Sequence, residues 1–303
     1  WCTDQYIVQR TLAAKDLRAA RRGALWGAFL KVWPVLFFLV PGLIGAALNA
    51  RGLLPIPLNA NGEPSGDRIF PAMVAELLPE GLRGLVVAGM MAALMSSLSS
   101  LFNSTATLFT VDVYEKLRPG ASEPQLVRVG RLATMVVVVL GLAWIPVMPL
   151  ISGGGLYQYL QNVSGYLAPP ITAVFLLGVF NSRINTRGAV WGLTLGFVLG
   201  MSKLLIQAFF GAGKIESPAL LAAIGDFNFL YFSGVLFVIA VATIVLASRT
   251  APPPDAERIR GLTFDSIDRA EVRASWDVRD VLATAVVLGS VAAIYLYFSF
   301  WLF

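Results

Sequence analysis

The chain has 303 residues, of which 57% are hydrophobic and 14% charged, with a net charge of +5. A soluble domain of this length carries about 25% charged residues, so an exterior wetted on all sides is excluded. The sequence contains no histidine and one cysteine, Cys2, which removes imidazole proton relays, imidazole metal sites and an internal disulfide.

The chain opens Trp1-Cys2-Thr3-Asp4 with no initiator Met, basic n-region or short apolar stretch. No signal peptide is visible, and a sequence truncated upstream is expected. Seven apolar blocks follow in order, at roughly 25–48, 84–114, 130–149, 155–181, 187–208, 228–247 and 280–302. Each reaches the roughly 20 residues that a helix needs to cross a bilayer. In lipid every backbone polar group must be satisfied within its own segment, so blocks of this kind predict an all-α polytopic membrane protein without strands.

The connections alternate in charge. Seventeen cations fall before the first block and in the second-to-third, fourth-to-fifth and sixth-to-seventh connections, whereas Arg51, Arg68, Arg83 and Lys214 are the four on the other side. Because Lys and Arg accumulate in cytoplasmic loops, the N-terminal segment is expected inside and Phe303 outside, in an inner membrane. The basic bias is thus topological and not a nucleic-acid surface. The outer connection holds a short amphipathic stretch from Phe70, and the inner loop 250–279 reads as a polar linker with a short helix near 264–273.

Polar residues inside these blocks are the candidates for function. Lys31 lies about two turns into the first block, where it either snorkels to the interface or faces a wet cavity. For Lys203, near an outer helix end, snorkelling is the expectation. Pro34 and Pro41 are expected to kink the first block. The second block carries the densest hydroxyl run, in which Ser96, Ser99, Ser100, Asn103, Thr107 and Thr110 recur at helical spacing. Such a face serves close helix packing or coordination of a hard cation by neutral oxygens, and spacing leaves both readings open. In the fourth block, glycines at 153–155 and the pair Pro169-Pro170 predict interruptions of the helical ladder. Gln158, Gln161 and Asn162 lie just inside the first of these. Neutral amides that donate and accept suit an uncharged, hydroxyl-rich ligand, and they equally suit interhelical hydrogen bonds.

Four stretches in order turn these features into a resemblance. Trp1-Cys-Thr-Asp-Gln-Tyr-Ile-Val-Gln-Arg, Phe29-Leu-Lys31, Leu94-Met-Ser-Ser-Leu-Ser-Ser-Leu-Phe-Asn-Ser, and Tyr157-Gln-Tyr-Leu-Gln161 followed by Tyr166-Leu-Ala-Pro-Pro resemble the sodium/solute symporter family, close to its sodium/glucose cotransporter branch. The resemblance implies a single transmembrane domain fragment that is the second half of a five-plus-five inverted-repeat bundle plus peripheral helices. Residues 1–24 would end the sixth core helix and enter a cytoplasmic loop, 25–181 would complete the second repeat, and 182–303 would supply three peripheral helices with the 250–279 loop. It implies alternating-access symport of sodium and a glucose- or galactose-like sugar. No organic cofactor is implied, only the coupling ion. Lys31 and Gln161 match sugar-contacting positions, and Trp1 matches the aromatic beside an inner-gate tyrosine one residue upstream. Ala93, Ser96 and Ser97 match the sodium segment, a backbone carbonyl and two hydroxyls. Gln158 stands where relatives of the glucose branch can carry an acid, which keeps myo-inositol open as the solute.

The resemblance leaves the oligomeric state unspecified. A transporter-like membrane sensor is the rival reading; it would need a cytoplasmic kinase domain after Phe303, and none is expected to follow the last spanning helix. An enzyme is not expected, because no nucleophile-base pair, carboxylate pair or metal-ligand cluster occurs in the apolar blocks.

Overall fold

The computed structural model describes residues 5–58, 62, 64–148, 155–210, 219–267 and 269–300. Among them the regular structure is helical. The elements are α1 (Gln5–Leu12), α2 (Leu17–Ala50), α3 (Gly66–Leu77), α4 (Glu80–Leu117), α5 (Glu123–Trp144), α6 (Leu156–Phe180), α7 (Thr186–Phe210), α8 (Ala219–Asp226), α9 (Phe229–Ser248), α10 (Ala256–Ile259), α11 (Arg269–Ala274) and α12 (Val278–Phe300). Seven of these, α2, α4, α5, α6, α7, α9 and α12, are long and apolar enough to cross a membrane. They coincide with the seven apolar blocks. Chain contacts divide the helices into two compact units, one of Trp1–Ala143 with Ser275–Phe303 and the other of Trp144–Ala274.

In the first unit α2 starts on a cap in which the Asp16 carboxylate accepts from the Ala19 amide at 2.6 Å. Its helix runs on through Pro34 and Pro41. The amphipathic stretch after Phe70 is α3, whose Ile69 and Met73 side chains fill the space beside Gly45. The α4 helix loosens into a π-helical segment over Leu108–Tyr114 before its last turn. There the Thr110 hydroxyl is buried with no hydrogen-bond partner among the described residues, close to Gly130 of α5.

At their N-terminal ends α2 and α12 are clasped together. Arg21 donates to the Ser275 carbonyl at 2.8 Å and to its hydroxyl at 2.7 Å, and its guanidinium stacks on Trp276 at 4.4 Å. Arg22 pairs with Asp280 at 3.0 Å and with Asp277 at 3.4 Å. Asp280 is 1% exposed, so this carboxylate persists beside apolar helix only because two guanidiniums and the Asp277 amide surround it.

The second unit is a three-helix seam of α6, α7 and α9, whose core is Ala173, Ala240 and Ile244. Gly188, Gly192, Gly196 and Gly200 place one bare edge of α7 against its neighbours. A methyl group on Gly188 would meet Ile244 O at 2.6 Å and the Ser248 hydroxyl, and one on Gly200 would meet the Tyr166 carbonyl. Small residues at spacing four are the usual means of close approach where lipid gives no hydrophobic drive.

Two expectations change here. The α6 helix continues through Pro169 and Pro170 to Phe180, because Pro170 is itself buried as the wedge filling the space at Gly196. Packing outweighs the lost donors. Lys203 does not snorkel: it is 2% exposed, and its ammonium donates to the Ile224 and Gly225 carbonyls, each at 2.6 Å, beside the rings of Tyr166 and Phe232. The last turn of α8 thus supplies inside the unit what water would supply at the interface.

In the loop between α9 and α12 the short helices are Ala256–Ile259 and Arg269–Ala274, so Phe264 lies in the turns between them. Its amide donates to Val179 O at 2.8 Å, and its ring packs on Phe180.

Candidate functional site

The oxygen-bearing face of α4 is the best-defined part of the site. At 3.6 residues per turn, Ala93, Ser96, Ser97, Ser100, Asn103, Ser104 and Thr107 fall within an arc of about 120°. Ala93, Ser96 and Ser97 are exposed on the unit. Toward the C-terminal end of α4 the Ser100 hydroxyl donates to the Ser96 carbonyl at 3.1 Å, and the Thr107 hydroxyl donates to Asn103 O at 2.8 Å. Such back-bonding satisfies a hydroxyl proton within the helix and leaves its lone pairs outward. A face built this way offers neutral oxygens without a carboxylate, which suits a weakly held monovalent cation better than a tightly held divalent one.

Near the C-terminal end of α4 the same face meets α1. Gln9, Arg10 and Ala13 enclose with Ser100, Asn103, Ser104 and Thr107 a cavity of about 380 Å³. The α4 half of this cavity was legible as a polar face. The α1 half was not, because nothing in the spacing of Gln9 and Arg10 shows that α1 folds back against α4.

Lys31 is in the same unit, on the side of α2 toward α12. With Ala28, Val32 and Val35 it lines a groove of about 440 Å³ closed by Val287, Val291, Ile294 and Tyr295. Gln161 belongs to the other unit. There Tyr159, Asn162 and Tyr166 turn inward and are buried, with the Trp144 indole donating to the Tyr159 hydroxyl at 2.5 Å and Tyr166 donating to Gln207 at 2.6 Å. Tyr157, Gln158 and Gln161 occupy the opposite, exposed face of α6. Trp1 lies outside the described residues.

The structure therefore gathers Ala93, Ser96 and Ser97 on one face, and holds Lys31 and Gln161 on separate units. Asp280 was missed by sequence reasoning. Its signal was a carboxylate at the start of an apolar block, to be matched with the Arg21-Arg22 pair at the start of another.

The family model of the sodium:solute symporters matches residues 2–196, well over half of the chain. The chain belongs to the sodium:solute symporter family. The matched stretch includes Lys31, Ala93, Ser96, Ser97 and Gln161 and leaves Trp1 outside it. Among curated members of the family, the chain is 39% identical over 288 residues to the sodium/glucose cotransporter 4 of Danio rerio, covering 91% of this chain and 44% of that protein. It is 42% identical over 274 residues to the human sodium/myo-inositol cotransporter 2, covering 87% and 40%, and 43% identical over 271 residues to a sodium/mannose cotransporter of Bos taurus, covering 87% and 45%. The chain thus spans less than half the length of the symporter relatives it matches. Membership in this family and seven spans make it a multi-pass membrane protein.

Proposed function

We propose that the full-length protein is a sodium-coupled symporter of a neutral polyol, with a hexose of the glucose or galactose type as the solute. The observation that carries this reading is the carboxylate-free oxygen face of Ala93, Ser96 and Ser97 on α4 within a sodium:solute symporter chain. Sodium held there would be completed by groups outside these residues. The solute would be contacted by Lys31 and Gln161, with Trp1 at the inner gate. Neutral polyols join the three relatives by name, since glucose, mannose and myo-inositol all present several hydroxyls and no charge.

Coupling follows from shared states. If sodium and solute both favour the outward-open-to-closed transition, each raises the affinity of the other by the same factor, typically corresponding to about 1–3 kcal/mol. The membrane potential adds about 2.3 kcal/mol per charge per 100 mV.

The role of Gln161 is separable from that of α4. In uptake assays on the full-length protein, Gln161→Ala is expected to raise the half-saturating hexose concentration about tenfold and the half-saturating sodium concentration by less than threefold, since one amide hydrogen-bonding two hydroxyls accounts for about 1.4 kcal/mol. A larger shift for sodium than for solute would remove Gln161 from the solute site. Competition by unlabelled myo-inositol in the same assay separates the two solute readings, because only a myo-inositol site is blocked by it at low concentration.

A further inference from the structure

We propose that the cavity between the α6–α7 turn and the C-terminal end of α9 binds an anionic phospholipid, with its phosphate between Arg183 and Arg249 and an acyl chain along α9. All the lining residues belong to the second unit, and none is among the proposed solute or ion contacts.

The cavity is about 350 Å³, and Arg183 and Arg249 are the only charged groups among its lining residues. The framework that brings them together is closely bonded. Asn181 caps the C-terminal end of α6, and its side-chain oxygen accepts from the Arg183 amide at 3.0 Å, which turns the chain out of the helix. The Asn185 side-chain amide ties this turn to the end of α9, donating to the carbonyls of Ser248 at 2.9 Å and of Ala251 and Pro252 at 3.2 Å. Arg187 adds a bond to the Thr250 carbonyl at 3.1 Å.

The two guanidiniums on this framework are unspent. Among the described residues neither donates to a protein oxygen nor pairs with a carboxylate, whereas Arg21, Arg22 and Arg187 all have such partners. Like charges gathered at one cavity repel, and an anion between them turns that repulsion into attraction. Planar guanidinium forks match phosphate oxygens with paired hydrogen bonds.

The apolar half of the site identifies the phosphate as that of a lipid. Ile184, Val245 and Pro253 form an apolar wall beside the two cations. From Arg249 back through Val245, Ala242, Val238 and Val235 the residues of α9 recur at alternating spacings of four and three, so they share one helical face. Val238 and Val235 are 64% and 49% exposed on the unit, and Ala242 is exposed as well. The stripe runs about 20 Å from Arg249 at 1.5 Å per residue, enough to cover the roughly 15 Å of hydrocarbon in one leaflet. Arg249 directly follows the last residue of a helix able to span, which is the depth of the headgroups. A soluble phosphate would use the guanidiniums and leave the stripe bare, whereas a phospholipid uses both.

The test uses the full-length protein purified in detergent, with phosphatidylglycerol as the probe and phosphatidylcholine and inorganic phosphate as comparisons, read by native mass spectrometry. Phosphatidylglycerol is expected to bind about fivefold or more tightly than phosphatidylcholine. Arg183→Gln and Arg249→Gln should each weaken it about fivefold, the effect of one cation beside an anionic headgroup, and together about twentyfold or more. Arg118→Gln, at the end of a spanning helix in the first unit, is the control and should leave binding unchanged. Melting temperatures without added lipid should match that of the unmodified protein, because no protein bond is lost. On the unmodified protein, a phosphatidylglycerol with a photoreactive diazirine in its acyl chain is expected to label α9 between Val235 and Arg249; this result decides alone if a variant folds poorly. Equal binding of the two lipids, full binding by the folded double variant, or labelling that misses α9 would overturn the proposal. Displacement of phosphatidylglycerol by equimolar inorganic phosphate would make the site one for soluble phosphate and overturn it equally.

Discussion

Ser97→Ala in the full-length protein is expected to raise the sodium concentration for half-maximal solute uptake by about tenfold or more. The half-saturating solute concentration, measured at saturating sodium, should change by less than threefold. Sodium is a hard cation that trades water for oxygens of similar strength, so each neutral ligand contributes about 1.5–3 kcal/mol, as hydrogen bonds to charged groups do. Losing one such ligand corresponds to tenfold or more in affinity. Ser97 is exposed on α4 and makes no packing contact within its own unit. Thr243→Ala on α9, whose hydroxyl is spent on Ile239 O at 2.8 Å, is the matched control and should leave the sodium dependence unchanged. Unaltered sodium dependence in Ser97→Ala would remove this helix face from the ion site.

The second large effect concerns the seam of α7. Gly188→Ala and Gly200→Ala are each expected to cost about 2–3 kcal/mol, because the new methyl group meets backbone carbonyls of α9 and α6 that cannot swing aside. The helices would have to separate, which loosens the packing around Leu204, Ile244 and the buried Lys203. Gly178→Ala and Gly234→Ala, with open space around the added carbon, should be neutral or slightly stabilising through helix propensity. Melting curves of the purified protein in detergent distinguish the two pairs. Equal melting temperatures for all four variants would show that the seam does not hold the unit together.

Much of the fold was legible because a membrane simplifies the problem. A run of about 20 apolar residues has one solution, so the seven spans could be marked before any coordinate was known. What could not be read depends on neighbours. Pro169-Pro170 carries the local signature of a break, yet Pro170 is buried as a wedge at Gly196. Lys203 carries the signature of a snorkelling residue, and only the arrival of the carbonyls at the end of α8 makes its burial tolerable. The Gly188 to Gly200 ladder is visible as a spacing, but a spacing does not name the helices that close on it.

The candidate site divides in the same way. The hydroxyl face of α4 is a helical periodicity and was open to reading. Spacing alone could not choose between packing and ion coordination, and the proposal of ion coordination rests on the family to which the chain belongs. Lys31 and Gln161 were singled out as polar groups in apolar surroundings. Their joint role as solute contacts is a property of the resemblance, since they stand on separate units. Arg10 and Gln9 gained meaning only when α1 folded against α4.

The most direct measurement is solute flux through the full-length protein reconstituted in liposomes. An inward sodium gradient is expected to drive labelled glucose or galactose above its external concentration. Accumulation should collapse with a sodium ionophore and fail when choline replaces sodium. Uptake of the same size in sodium and in choline, or accumulation driven only by a proton gradient, would contradict sodium-coupled symport.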